Sequence, residues 1–272
     1  MRRTRAIVRA SALVVCTLVM YAALILGLPF AFAITNPHRW RSLIFHGWAK
    51  ATAAILGLKV AVQGTPPAPP FLLVSNHLSY VDVLVFASLV RCVFVARGDV
   101  ARWPAIGSLC RATGTIFVDR EKRKDVSRVN GLISQALGDG QGVVLFAEGT
   151  STQGETILPF KSSLLDQAAR ASFAVSYAAL SYRTSESEPP AHLSVCWWGE
   201  MTLVTHLIGL LSLSGIHATV VFGAEPIQAT DRKVLAERLW SAVKDRFIPV
   251  VESSESNFQV ADAKAGKLRL EL

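Results

Sequence analysis

The sequence predicts an α/β fold, in which a mixed sheet is covered by helices and is preceded by apolar N-terminal helices. Two observations lead to this prediction. The first 63 residues hold a long uncharged run and an amphipathic stretch, and short β-rich runs alternate with helical stretches after residue 64. With 272 residues and 51% hydrophobic content, the chain can bury a large core.

The N-terminal part begins with an uncharged run, ASALVVCTLVMYAALILGLPFAFAI, which extends from Ala10 to Ile34. This run exceeds the roughly 20 apolar residues that are needed to cross a bilayer, so it predicts a membrane segment. A secretory signal is the alternative, because Ala31, Phe32 and Ala33 have the small-x-small form of a cleavage site. The run is longer than the apolar region of a signal, which usually has about 7–15 residues.

The charge of the chain is concentrated at its N-terminal end. Residues 1–81 hold eight Lys and Arg and no Asp or Glu, which accounts for the whole net charge of +8. Because these basic residues are mixed with apolar ones, we expect an anionic membrane surface as the partner and no nucleic acid. Basic residues flank the apolar run on both sides, so a helix that enters the membrane and returns, bent at Pro29, would satisfy the positive-inside rule.

The next segment predicts an amphipathic helix. Apolar residues recur at three- and four-residue spacing from Trp40 to Leu58, and tryptophans and cations among them favour an interfacial position over packing on the core. The sequence GTPPAPP at residues 64–70 cannot continue a helix and predicts a linker. We therefore expect membrane-anchoring helices at residues 1–63 and the main domain at residues 64–272.

Beyond the linker the pattern alternates between strands and helices. The predicted strands are FLLVSN, CVFVA, TIFVD, GVVLFAE, FAVSYAALSY, HLSVCWW and HATVVFG, and helices are predicted at 81–91, 124–138, 161–171 and 229–247. The uncharged stretch MTLVTHLIGLLSL, residues 201–213, is compatible with a second membrane-touching helix and equally with a buried core helix.

The four cysteines are Cys16, Cys92, Cys110 and Cys196, and no two of them are closely spaced. This spacing predicts neither a zinc site nor a redox pair, so we interpret them as reduced and structural. Reduced cysteines agree with a domain that faces the cytoplasm.

The stretch VSNHLSYVDV is the first of three polar motifs that follow predicted strands. It places His77 at a strand end and Asp82 at the start of the next helix. Asp82 alone could cap that helix. If the two side chains meet, His77 can accept a proton near neutral pH while the Asp82 carboxylate fixes its tautomer and stabilises the imidazolium. A metal site is less favoured, because no third ligand with recognisable spacing follows.

The second motif, GTIFVDR, places Arg120 at the end of a short strand. A guanidinium at a sheet edge can hold a phosphate or a carboxylate through two parallel hydrogen bonds. The charged residues directly after it, EKRKD, are typical of a solvated helix start.

The third motif lies in LFAEGTSTQGETILPFKSSL. Glu148 ends a predicted strand, and Gly149 allows the backbone to turn tightly beside a ligand. Thr150 and Ser151 add hydroxyl groups, and Lys161 adds a cation at a predicted helix start.

In this order and spacing, the three motifs resemble those of the glycerolipid acyltransferase family, which includes bacterial 1-acylglycerol-3-phosphate acyltransferases. The resemblance covers roughly residues 70–225, and the N-terminal helices resemble the family's membrane-docking segment. The NHxxxxD block is matched by Asn76, His77 and Asp82, the GxxFxxR block by Gly114, Phe117 and Arg120, and the FPEGT block by Phe146, Glu148, Gly149 and Thr150.

The resemblance implies a fold like that of glycerol-3-phosphate acyltransferase and a direct acyl transfer. His77 would take the proton from an acceptor hydroxyl, with Asp82 orienting it, and the oxygen would attack the thioester of acyl-CoA or acyl-ACP. No metal and no other cofactor is expected. Because the sequence has no GxSxG elbow, a covalent acyl-enzyme is disfavoured.

The resemblance also implies the substrate-binding residues and the location of the enzyme. The implied binding residues are Asn76, Gly114, Phe117, Arg120, Glu148, Gly149, Thr150, Ser151 and Lys161. The expected location is the inner membrane of the cell, with the catalytic domain on the cytoplasmic side.

Three positions depart from the family pattern: Ala147 stands where the third block usually has proline, Ser151 stands where many members have arginine, and Tyr177 lies near where a fourth block usually has proline. Losing that arginine removes a partner for an acceptor phosphate. The later CWWGEM stretch and the histidine after it resemble the lyso-ornithine lipid acyltransferase branch. We expect a lysolipid acceptor, by default lysophosphatidate (1-acylglycerol-3-phosphate), with lyso-ornithine lipid as the alternative. A membrane lipid hydrolase and a non-catalytic lipid-binding protein are further alternatives.

Overall fold

The computed structural model of the protein describes residues 2–34, 37–119 and 122–251, which form two N-terminal helices followed by an α/β domain. The first two helices are α1 (Arg2–Ile34) and α2 (Pro37–Leu56). The strands are β1 (Leu58–Gln63), β2 (Phe71–Ser75), β3 (Cys92–Arg97), β4 (Ile116–Val118), β5 (Gly142–Phe146), β6 (Val175–Arg183) and β7 (Ile216–Phe222). The later helices are α3 (Val81–Leu89), α4 (Ile106–Ala112), α5 (Arg123–Gly138), α6 (Asp166–Arg170), α7 (Ala191–Ser194), α8 (Leu203–Ser212) and α9 (Arg232–Lys244).

The described strands form one seven-stranded sheet in the order β1-β7-β6-β2-β5-β3-β4. Strands β2 to β6 are parallel, β7 is antiparallel to β6, and β1 is parallel to β7. The predicted α/β class with a mixed sheet is therefore confirmed. Because β5 and β6 flank β2, the loops that follow β2 and β5 meet at the same edge of the sheet.

Helices cover both faces of this sheet, because successive strand side chains point to opposite faces. Leu73 of β2 packs into a core with Phe45 of α2 and Phe86 of α3. Its neighbour Leu72 belongs to the core on the other face, where α5, α6 and α9 contribute buried side chains.

Helix α1 packs on the α8 end of the domain near its start and on helix α2 further along. Arg9 donates a 2.6 Å hydrogen bond to the carbonyl of Leu213, and further along the helix the Trp48 indole donates to Thr17 Oγ1 at 3.2 Å. The large apolar side chains that are exposed on α1 share one helix face, which we call the α1 stripe: Ile7, Val8, Val14, Val15, Leu18, Val19, Ile25 and Leu26. The segment Arg2–Gly27 is long and apolar enough to cross a membrane.

The prediction that HLSVCWW forms a strand is wrong. Its first part belongs to the short helix α7, and the chain then continues as a loop. Val195 and Cys196 in that loop are fully buried. The apolar pattern therefore reflects burial in the core without sheet pairing.

Strand β1 was not predicted from the sequence. It pairs with β7 from Leu58 opposite Ile216 onward, and it follows α2 so closely that its apolar residues continue the helical pattern. The division predicted after residue 63 leaves this strand of the sheet on the side of the anchoring helices, and the division itself remains a prediction.

Helix α8 lies within the uncharged stretch at residues 201–213. His206, Leu210 and Leu211 are buried, whereas Val204 and Ile208 are exposed on the opposite side. One face of α8 thus belongs to the core, and the other face points outward.

Candidate active site

The first motif forms a histidine–aspartate pair where β2 ends. His77 follows β2, Asp82 lies in the first turn of α3, and His77 Nδ1 is 2.7 Å from Asp82 Oδ2. The Asp82 side chain is fully buried, whereas that of His77 is 22% exposed. Since a carboxylate only accepts hydrogen bonds, Nδ1 carries the proton and the lone pair lies on Nε2. This tautomer is the one that a general base requires.

The carboxylate of Asp82 is held by three further donors. The main-chain N–H groups of Leu78 and Ser79 donate to Oδ2 at 2.7 and 3.0 Å, and the Tyr182 hydroxyl donates to Oδ1 at 2.8 Å. These amides precede α3, so Asp82 fixes the loop that carries His77 instead of capping the helix. A buried carboxylate with this many donors is well stabilised as an anion.

Tyr182 was missed by the sequence reasoning. It lies 100 positions from Asp82, and only the pairing of β2 with β6 brings the two together. Burial raises the pKa of Tyr182 well above its ordinary value, so its hydroxyl remains a donor. No local pattern marks such a residue, since an aromatic side chain on a buried strand is ordinarily part of the core.

The ring of His77 is held from one side by Phe146, the last residue of β5. The ring centroids are 4.2 Å apart and the planes differ by 12°. This stacking, together with the bond to Asp82, fixes the plane of the imidazole. The direction in which Nε2 points is therefore set by one residue from helix α3 and one from strand β5.

Asn76 holds neighbouring strands together beside the catalytic pair. Its side chain is fully buried, its Nδ2 donates to the carbonyl of Leu180 at 2.9 Å, and its Oδ1 accepts from the N–H of Leu180 at 2.8 Å. The amide is thus occupied by β6. These two bonds fix the residue directly before His77 to β6, and they leave no part of the Asn76 side chain at the surface.

Glu148 joins the third motif to the first. Oε1 accepts from the main-chain N–H of His77 at 2.7 Å, and Oε2 accepts from the N–H of Leu158 at 2.8 Å. Burial raises the pKa of Glu148 to about 7. Gly149 follows with a φ of +79°, which a residue with a side chain adopts only with strain.

The remaining residues of the third motif lie nearer the surface. The Ser151 hydroxyl donates to the carbonyl of Trp197, whereas Thr150 is exposed. Lys161 is also exposed, and its N–H donates to the carbonyl of Ala147 at 2.8 Å. Of these residues, Ser151 alone links the motif to a different part of the chain.

The second motif is only partly described, because Arg120 lies outside the described residues. Gly114 has a φ of +82°, and a Cβ built there would lie 2.9 Å from Arg41 Nη1 of α2. Phe117 lies in β4, and its carbonyl accepts from Arg128 at 2.8 Å. The structure thus places a guanidinium, that of Arg41, beside this motif, which the sequence reasoning did not foresee.

The loop after α7 covers the first motif. The N–H of Trp197 donates to the carbonyl of Leu78 at 2.8 Å, and its ring meets that of Tyr80 edge-on at 6.0 Å. The Tyr80 hydroxyl is 2.9 Å from Nδ1 of the buried His206. The CWWGEM stretch and the histidine after it therefore form one cluster beside the catalytic pair.

The chemistry of the site rests on acid–base groups. Among the described residues, no group of three or more His, Cys, Asp or Glu side chains is arranged to hold a metal ion. His77, Asp82 and Glu148 are instead bonded to one another or to the backbone between them.

A buried Asp–His pair at the edge of an α/β sheet is suited to an enzyme that takes a proton from a hydroxyl group. A family model described as Acyltransferase matches residues 59–181, a range that contains all three motifs. Relatives that are more than 30% identical over two thirds or more of their length are also acyltransferases. The chain belongs to this acyltransferase family and is an acyltransferase of lipid biosynthesis.

Among similar proteins, the lyso-ornithine lipid O-acyltransferase of Rhizobium meliloti (strain 1021) is 36% identical, over 69% of this chain and 67% of the relative. The enzyme of the same name from Rhodobacter capsulatus is 33% identical, over 76% and 77%. The 1-acyl-sn-glycerol-3-phosphate acyltransferase of Neisseria gonorrhoeae is 26% identical, over 76% and 80%.

One solved structure supports the fold. The crystal structure of the 1-acyl-sn-glycerophosphate acyltransferase PlsC from Thermotoga maritima matches with a TM-score of 0.58, over 90% of this chain and 97% of that chain. The sequence identity is 17%, so the likeness concerns the fold alone.

Proposed function

We propose that the protein transfers a fatty acyl group from acyl-CoA or acyl-ACP to the free hydroxyl of a lysolipid at a membrane surface. The observation that carries this proposal is the 2.7 Å contact between His77 Nδ1 and Asp82 Oδ2, which leaves Nε2 as the base. The reaction needs no metal and no cofactor beyond the acyl thioester, because an imidazole can move the only proton involved.

The proposed reaction runs in two steps. The acceptor hydroxyl gives its proton to His77 Nε2 while its oxygen attacks the thioester carbonyl, and Asp82 stabilises the imidazolium that forms. The tetrahedral intermediate then collapses, the carbon–sulfur bond breaks, and the sulfur leaves with the proton from His77. The products are the acylated lipid and the free thiol, and no acyl-enzyme forms.

Other motif residues act in this proposal by holding the base. Asn76 and Glu148 have their polar atoms bonded to backbone groups, so they keep the His77 loop in place. Exposed Thr150 and Lys161 remain the candidates for contact with substrates, together with Arg120.

We favour lyso-ornithine lipid as the acceptor, with lysophosphatidate as the second candidate. The family at large favours lysophosphatidate. Among relatives matched over two thirds or more of this chain, however, those with 36% and 33% identity are named lyso-ornithine lipid O-acyltransferases, and one named for the glycerophosphate acceptor is 26% identical. Ser151 supports this choice, because its hydroxyl is bonded to the Trp197 carbonyl where many family members have a phosphate-binding arginine.

The proposed location is the inner membrane, with the catalytic domain on the cytoplasmic side. The α1 stripe supports attachment along the membrane surface, since the opposite face of α1 packs on helices α2 and α8. A single helix that crossed the bilayer would be surrounded by lipid on every side, whereas one face of α1 is in contact with other helices of the protein.

An acyl-transfer assay with purified protein tests the proposal. Thiol release from acyl-CoA or acyl-ACP should require a lysolipid, and with both lysolipids present at equal concentration the ornithine lipid should be acylated first. Release without an acceptor would indicate a hydrolase, and no release would indicate a binding protein. Preference for lysophosphatidate would reverse the choice of acceptor and leave the chemistry intact.

A further inference from the structure

The outward face of helix α8 is apolar and has no protein partner among the described residues. Val204 is 69% exposed and Ile208 is 57% exposed, and Leu193 of the adjoining α7 is 52% exposed. Val204 and Ile208 are four positions apart, so they lie on the same face of the helix. The helix itself, LVTHLIGLLS, has no Asp, Glu, Lys or Arg.

This face adjoins α1. Helices α1 and α8 are neighbours, and the arginines of α1 hold the end of α8: Arg5 donates to the Ser212 carbonyl at 3.0 Å and Arg9 donates to that of Leu213 at 2.6 Å. The α1 stripe and the exposed apolar side chains of α8 thus belong to two neighbouring helices. Large exposed apolar patches are uncommon on a protein that meets only water, and they often mark a contact surface.

The charges around this surface fit an anionic bilayer. Glu188, near the ends of both helices, is paired with Arg2 at 3.0 Å and lies 3.7 Å from Arg5, so its charge is compensated. Arg3 is exposed on the same turn of α1. Glu200 is exposed in the loop before α8, so the basic side chains lie at the α1 end of this surface. Basic side chains beside an apolar face favour the headgroup region of anionic lipids.

We propose that α8 is a second membrane-contact element, in which Val204 and Ile208 insert into the acyl boundary of the same leaflet as the α1 stripe. The protein would then contact the bilayer through both α1 and α8, and not through α1 alone. This inference rests on the membrane attachment of α1 proposed above. It goes beyond it, because α8 belongs to the catalytic domain itself.

The direct test uses the full-length protein with a polarity-sensitive dye on a cysteine at one of two positions, Val204→Cys or Val234→Cys. Val234 is a matched control, since it is an exposed valine (47%) on α9. Addition of anionic phospholipid vesicles should shift the emission of the dye to the blue at position 204 and leave it unchanged at position 234. The unsubstituted chain, treated in the same way, corrects for labelling of native cysteines.

A second measurement compares the vesicle partitioning of Val204→Glu/Ile208→Glu with that of the control Val234→Glu. The double variant Val204→Glu/Ile208→Glu should partition at least about tenfold less than wild type, because two apolar side chains are lost from the bilayer and two charges oppose entry. Val234→Glu should partition like wild type, and all variants should retain acyl transfer in detergent micelles, where no bilayer is needed.

The outcomes separate this inference from the proposal on which it rests. If wild type did not bind vesicles, membrane attachment as a whole would fail. If wild type bound and the dye at position 204 stayed unshifted, α8 would not touch the bilayer. A dye that was already blue-shifted without lipid would show that protein covers α8, and this result would also overturn the inference.

Discussion

The main-chain N–H of His77 donates to one oxygen of Glu148, and the other oxygen of that carboxyl accepts from Leu158. A single buried carboxyl therefore joins the loop after β2 to the loop after β5. Because burial raises its pKa to about 7, the protonation of Glu148 is coupled to folding.

The first prediction concerns the pH dependence of stability. Between the ordinary pKa of 4.5 and about 7, the native chain binds a proton that the unfolded chain has released. The free energy of unfolding contributed by this group is therefore fully present below 4.5, falls as pH rises, and levels off above about 7. Chemical denaturation at a series of pH values should show that the free energy of unfolding of wild type falls, relative to that of the non-titrating Glu148→Gln, as pH rises from 4.5 to about 7. A constant difference would contradict it.

The second prediction concerns the catalytic pair. His77→Ala and Asp82→Asn should each lower kcat of acyl transfer by about 10²–10⁴-fold, because they remove the base or the group that orients it. Circular dichroism should show a folded chain. His217→Ala is the control, since His217 is exposed on β7, and it should keep normal turnover. Near-normal turnover of His77→Ala would refute the mechanism.

The third prediction concerns Tyr182, which donates to Asp82 at 2.8 Å. Tyr182→Phe keeps the ring and removes one donor to a buried charge, so kcat should fall by about tenfold with little change in KM. Tyr177→Phe, on the same strand, is the matched control, because the Tyr177 hydroxyl has no hydrogen bond within the described part of the chain. Equal effects of the two substitutions would mean that Tyr182 acts through packing alone.

The fourth prediction concerns the α1 stripe. Val15→Glu/Leu18→Glu places two charges on the outward face of α1, and it should release the protein from vesicles while detergent-dispersed substrate is still acylated. Flotation on a density gradient measures this directly. Unchanged flotation would require the anchor to lie elsewhere.

The fifth prediction concerns the acceptor. Ser151→Arg restores a cation that many family members have, so it should raise the use of lysophosphatidate relative to lyso-ornithine lipid by about tenfold. Ser151→Ala breaks the same bond to the Trp197 carbonyl without adding charge, and it separates the two effects. If both variants shifted the ratio equally, the charge at this position would not govern acceptor choice.

Much of the fold could be predicted because the apolar pattern of most strands in the sequence matches their burial in the folded chain. Strands such as β2 and β5 are buried on both faces and are continuous apolar runs, which the sequence displays directly. The run around Val195 has the same appearance, but it is buried as a loop. Strand β1 was hidden because the apolar pattern of α2 continues into it without a break.

The site could be predicted as far as its motifs are local. His77 and Asp82 are five positions apart, and the structure joins them at 2.7 Å. The residues that orient this pair are brought in by strand pairing, as Tyr182 is by β6 and Phe146 by β5. Spacing along the chain contains no information about such partners, and the same holds for Arg41 beside Gly114.

The two bonds that tie the Trp197 loop to the catalytic motifs use its main-chain atoms: its N–H reaches Leu78, and its carbonyl receives the Ser151 hydroxyl. The identity of the side chain at position 197 is therefore independent of these attachments, and any residue except proline can make the first of them. The side chain itself makes separate contacts, since its ring meets that of Tyr80 and its indole N–H donates to the Met201 carbonyl at 2.9 Å. An exchange of the side chain at position 197 therefore removes those side-chain contacts, while the two main-chain bonds to the catalytic motifs persist.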